Sequence, residues 1–189
     1  MDDDTGLPPD DWQEDLPGLV GPPSPIIWSQ LSSQQAENTW LDLNEWVERL
    51  RHDYAIPATV IPPFWHRHQL LIEHLTALWT HWLAAFDAQQ HSSAPFGWTR
   101  DLDEWANRMR EAVARLGCRI DSCRPEIITR WPGEPDRDPA GFPPPVNLAD
   151  RYDDLVTLIL WDVRRRQKAE RQTIIDAAEQ ADEQLEGGF

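Results

Sequence analysis

The chain has 189 residues, a net charge of −16 and a pI near 4.6, with 40% apolar residues, 17 prolines and 11 tryptophans. The length suits one domain with a true hydrophobic core, and the acidity argues against direct contact with a phosphate backbone or an anionic membrane surface. Two cysteines, Cys118 and Cys123, are too few for a disulfide framework, and no apolar run is long enough to span a bilayer.

Residues 1–37 read as a disordered acidic arm. Eight acids and no bases fall within residues 1–39, which hold half of the net charge, and six prolines interrupt the first 25 positions. Trp12, Leu16 and Leu19 sit among those acids, a pattern that suits docking on a protein partner. Ile26, Ile27 and Trp28 form a second apolar cluster, read equally well as a docking segment or as cover for the chain's own core. The opening MDDDTGLPPDDW has neither a basic n-region nor an apolar h-region, so a cytoplasmic protein is expected.

Four helices follow, within an all-α domain expected over residues 38–165. The first is predicted from Thr39 to Tyr54, capped by Asn38 or Thr39, with Trp40, Leu43, Val47 and Leu50 at spacings of three and four. Ile56-Pro57 ends it. A proline-rich connector leads to a second helix from His66 or Arg67 to Ala88, whose broad stripe runs through Leu71, His74, Leu75, Leu78, Trp79, Trp82, Leu83 and Phe86. The third is predicted from an N-cap at Thr99 to Leu116, with Gly117 as the stop.

Residues 118–147 are irregular, with turn signals at Trp131-Pro-Gly and Phe142-Pro-Pro-Pro. The fourth helix begins near Asn147 or Asp150, and its stripe comprises Tyr152, Leu155, Val156, Ile159, Leu160 and Val163. Beyond Arg166 the stripe thins to Ile174, Ile175, Ala178 and Ala181, so residues 166–189 are expected to project as a charged helix and tail. Ile174 and Ile175 are candidate contacts for a protein partner or for a second copy of the chain.

No catalytic constellation emerges. There is no GxSxG elbow and no glycine-rich phosphate loop, and pairs such as Asp153-Asp154 read as solvated charge. His74 and His81 share a helical face but lie about 10 Å apart along the axis, too far for one metal. His66 and His68 are the histidines close enough to chelate together. With Cys118 and Cys123 they make the ligand set of an alternative reading, a small structural zinc protein. The leading reading assigns no metal and no cofactor.

The stretch Trp46–Ile56, followed by Pro62-Pro-Phe-Trp-His-Arg-His-Gln-Leu-Leu and Glu73-His-Leu-Thr-Ala-Leu-Trp, resembles a group of actinobacterial proteins that accompany phage-like, plasmid or integrative-element genes. The resemblance covers about residues 40–118 and rests on a P-P-x-W-x-R-H-x-x-L motif. By it, Trp65, Arg67, His68, Glu73 and Trp82 are family positions. Physically, the prolines fix a corner, Trp65 staples it, and Arg67 needs a carboxylate from another helix, with Glu45 or Asp42 as candidates. The expected function is a non-enzymatic adaptor of a mobile element. An acidic, DNA-mimicking inhibitor of a nucleic-acid-binding protein is the alternative.

Overall fold

A computed structural model describes residues 24–124, 131–134 and 142–186, with side chains through residue 181. Trp12, Leu16 and Leu19 lie outside this range. The described residues form four α-helices and no strand: α1 (Ser33–Asp53), α2 (Gln69–Ala85), α3 (Ala94–Leu116) and α4 (Arg151–Glu186). α1 packs between α4 and α2, and α3 lies along α2.

The helical body begins earlier than residue 38. Ser32 is the N-cap of α1, accepting from the Gln35 N–H at 3.2 Å, while the Gln35 side chain accepts from the Ser32 N–H at 3.0 Å. This capping box, a serine followed three positions later by glutamine, satisfies two N–H groups that the first turn would otherwise leave unpaired. The choice left open for Ile26–Trp28 is resolved for Trp28, which is 6% exposed and donates from its indole N–H to Thr76 at 3.0 Å. Its ring sits 4.6 Å from that of Trp40, which in turn lies 6.2 Å from Trp65. A second aromatic chain passes from Trp46 through Trp82 and Phe86 to Trp98 and Tyr54. These large rings fill the space between helices that would otherwise need many smaller side chains.

The connector between α1 and α2 is a packed corner. Val60, Ile61, Phe64 and Trp65 are all buried. The chain makes a single 3₁₀ turn over Trp65–Arg67, then extends at His68 (φ −127°, ψ 113°) before α2 begins at Gln69. α2 is therefore shorter at both ends than its apolar pattern suggested, and Phe86, its C-cap, is 46% exposed.

α3 also departs from expectation. It starts at Ala94 with Pro95 in the first turn, a position that proline tolerates because the first N–H groups lack intrahelical partners. Thr99 lies inside the helix, and its hydroxyl donates back to the Phe96 carbonyl at 2.8 Å. Gly117 ends the helix in the left-handed conformation (φ 68°), as its place in the sequence implied.

The largest revision concerns α4. Tyr152, Val156 and Leu160 of the expected stripe face outward, and the buried face is Asp154, Leu155, Leu158, Ile159, Asp162 and Val163. Two acids thus occupy core positions, where an uncompensated charge could not stay. Replacing Trp28 with Ala should cost about 3–5 kcal/mol in urea denaturation. Removing the exposed Phe96 ring should change stability by no more than about 0.5 kcal/mol.

Candidate functional site: the buried polar seam under the long helix

The proline corner carries three successive polar residues into the interior. The 3₁₀ turn ends at Arg67 and the backbone is extended at His68 (φ −127°, ψ 113°), so the two histidines leave the chain in different directions. His66 and His68 therefore point to different neighbours, and they do not chelate together.

His66 and Arg67 reach α4. The Asp154 carboxylate, fully buried, accepts from Arg67 Nε at 2.8 Å and Arg67 Nη2 at 2.6 Å, a bidentate pair. His66 Nε2 lies 2.7 Å from the same carboxylate, and the Asn147 N–H donates to it at 2.5 Å. Arg67 Nη1 continues to the Pro144 carbonyl at 2.6 Å, tying down the last part of the α3–α4 connection. Burial alone would raise the Asp154 carboxyl, but the donors His66, Arg67 and Asn147 outweigh it and hold the group well below the usual carboxylate range. The partner of Arg67 is on another helix, as the sequence demanded. It is Asp154, however, and neither Glu45 nor Asp42. Glu73, another motif position, accepts from Gln69 on the exposed side of α2.

Three further attachments hold α4 against α1. Arg151 donates to the Pro63 carbonyl and to Asn44, and pairs with Glu48 at 2.9 Å. Asp162, 5% exposed, accepts from the Trp40 indole at 3.2 Å, from Arg165 at 2.8 Å and from Arg166 at 2.9 Å. Arg166 also donates to the Leu31 carbonyl. Glu170 accepts from the backbone N–H and hydroxyl of Ser33, so one helix caps the start of the other. Two arginines of the basic run Arg164–Arg171 are thus structural.

His68 turns toward α3. Its Nε2 lies 2.8 Å from Cys118 Sγ and 3.2 Å from Cys123 Sγ. Gly117 reverses the chain after α3, and an Arg119 N–H to Ser122 carbonyl bond of 2.9 Å closes the turn that returns Cys123. His68 and Cys118 are buried and Cys123 is half-buried. The Cys123 thiol donates to Cys118 and, with a contribution from His68, brings it down to about 5 against the opposing effect of burial. The same bond, followed by burial, pushes Cys123 up. The thiolate is thus favoured on Cys118 and disfavoured on Cys123. Such a set can coordinate a soft divalent metal. Its burial leaves Cys118 poorly placed to attack a large substrate, whatever the nucleophilicity of the thiolate.

His81 sits 3.2 Å from Asp101 across an open groove between α2 and α3, and the His74 carbonyl accepts from the Trp105 indole at 3.0 Å. Trp82 packs in the second aromatic chain with Arg49 5.9 Å from its ring. No family, curated protein or solved structure matches this chain. No helix among the described residues is long and apolar enough to cross a membrane.

Nothing in the local pattern of Asp153-Asp154 distinguished the buried acid from its exposed neighbour. A signal existed at longer range: Asp154, Leu158 and Asp162 recur every four residues, in register with Leu155 and Ile159.

Removing one partner of the buried pair strands the other. Asp154→Ala should therefore cost about 3–5 kcal/mol in chemical denaturation. The folded-state carboxyl sits below its unfolded value, so its contribution is complete above about pH 4 and is lost as pH falls through the lower folded value. Thermal melts of the wild type should fall steeply on acidification below about pH 4. In Asp154→Ala that part of the slope should flatten.

Proposed function

We propose that this chain is a non-enzymatic adaptor that presents the last turns of α4 to a protein partner. The observation that carries this reading is the reach of a firmly mounted helix. α4 is anchored to α1 as far as Glu170 and continues to Glu186, roughly 24 Å further at the rise of an α-helix. Ile174 and Ile175, 69% and 49% exposed, lie on that overhang. An exposed helical segment with adjacent isoleucines can lay one face into an apolar groove, a common mode of peptide recognition.

The charge of the overhang shapes the partner. After Arg171, the segment to Glu186 carries Asp176, Glu179, Asp182, Glu183 and Glu186 and no base. A groove with an apolar floor and a basic rim complements it. The acidic arm, with Trp12, Leu16 and Leu19, supplies a second contact of the same chemistry. The resemblance to proteins of actinobacterial mobile elements suits an accessory role of this kind.

The test compares wild type with Ile174→Glu/Ile175→Glu and with a chain ending at Arg171, each used as bait in extract of the native host. The proposal expects a protein captured by the wild type and lost by both variants, with Tm changed by less than about 2 °C because residues 172–181 are all exposed. Equal capture by all three baits contradicts it. Light scattering of the purified chain separates a foreign partner from self-association.

A further inference from the structure

The adaptor reading makes no use of the thiols and imidazole beneath the corner. Three features of that cluster need a common cause. His68 precedes α2, while Cys118 and Cys123 both lie in the turn that follows α3, so two segments far apart in sequence deliver the three donors. All three ligand atoms lie within 4.8 Å of one another. Both sulfurs approach the same nitrogen, His68 Nε2, at 2.8 and 3.2 Å. A disulfide would require only the two sulfurs, and a packing role would not require the imidazole nitrogen to face them.

A tetrahedral zinc ion bonds nitrogen at about 2.0–2.1 Å and thiolate sulfur at about 2.3 Å, which places neighbouring donors about 3.5–3.8 Å apart. The two nitrogen–sulfur distances, 2.8 and 3.2 Å, are shorter than that by about 0.3–0.7 Å, so an outward movement of the side chains by that amount admits an ion. We infer that His68 Nε2, Cys118 Sγ and Cys123 Sγ bind one zinc ion, leaving one coordination position for water or an external ligand. Two thiolates neutralise the dication, so the loaded site carries no net charge into a buried place. Hard cations are disfavoured, since calcium and magnesium take oxygen donors. Binding converts both cysteines to thiolates and releases their remaining protons to solvent.

The ion would close a link between the corner and the irregular connection that follows α3. Arg67 and Asp154 act electrostatically on Cys123, so the metal site and the mount of α4 share one polar seam. His66 stays outside the ligand set, engaged by Asp154.

The experiment uses the full chain purified under reducing conditions. Elemental analysis should return about one zinc per chain. After chelation, titration with cobalt(II) should produce thiolate-to-cobalt charge-transfer absorption together with the visible bands of a tetrahedral ion. His68→Gln, Cys118→Ser and Cys123→Ser should each weaken zinc binding by at least about tenfold, whereas His81→Gln should bind as the wild type does. Should a cysteine variant fail to fold, the wild-type cobalt spectrum still decides, because its charge-transfer intensity counts the thiolates. Folded, reduced wild type that takes up neither ion overturns the inference. So does cobalt bound without thiolate absorption, or a His68→Gln spectrum and affinity identical to wild type.

Discussion

A single buried carboxylate organises this molecule. Asp154 enters the interior on α4 and accepts from an arginine, a histidine and a backbone N–H brought by two other segments. Charge in an apolar interior is tolerated only where the surrounding donors are complete, so any displacement of α4 or the proline corner leaves either Asp154 or Arg67 uncompensated. Apolar packing between helices permits sliding and repacking at modest cost. A bidentate ion pair does not. The tryptophans supply bulk to the core, and the seam determines how α4 lies upon it.

The same logic is repeated along α4. Asp162 gathers Trp40, Arg165 and Arg166, and Glu170 caps the first turn of α1. These attachments occur eight residues apart, at Asp154, Asp162 and Glu170, about 12 Å along the axis and about 80° around it from one to the next. A helix fixed at three points along its length can carry exposed isoleucines beyond the body without losing its direction. That mount supports the proposed adaptor role, and it gives Arg165 and Arg166 of the arginine cluster a structural part.

Much of the architecture could be read from local rules, because those rules act over a few residues. Gly117 stops α3, Ile56-Pro57 follows the end of α1, and the tryptophan and leucine periodicities mark α1 and α2. The all-α class and the projecting last helix followed from these signals. The helix starts were less legible. Ser32 outcompeted Asn38 and Thr39 because its reciprocal bond with Gln35 reaches across three residues, and Pro95 opened α3 ahead of the better-looking Thr99.

The seam was legible only in part. Arg67 and His68 stood out in the corner motif, and the need of Arg67 for a carboxylate on another helix was evident. Asp154 was hidden because an aspartate beside another aspartate looks solvated, and only its register with Leu158 and Asp162 distinguishes it. His66 and His68 were joined only in the alternative zinc reading, and the corner instead sends one to α4 and the other to Cys118 and Cys123. Tertiary placement of that kind depends on how the corner sits between helices, which spacing alone does not encode.

Native-state amide hydrogen exchange, followed residue by residue, tests the central claim most directly. If the Asp154 seam couples α4 to the corner, amides of residues 155–163 and 71–78 open with the same free energy in the wild type. In Arg67→Ala both groups should lose protection together. Exchange in which α4 opens independently of α2, or an Arg67→Ala protein whose α4 keeps its full protection, would contradict the account.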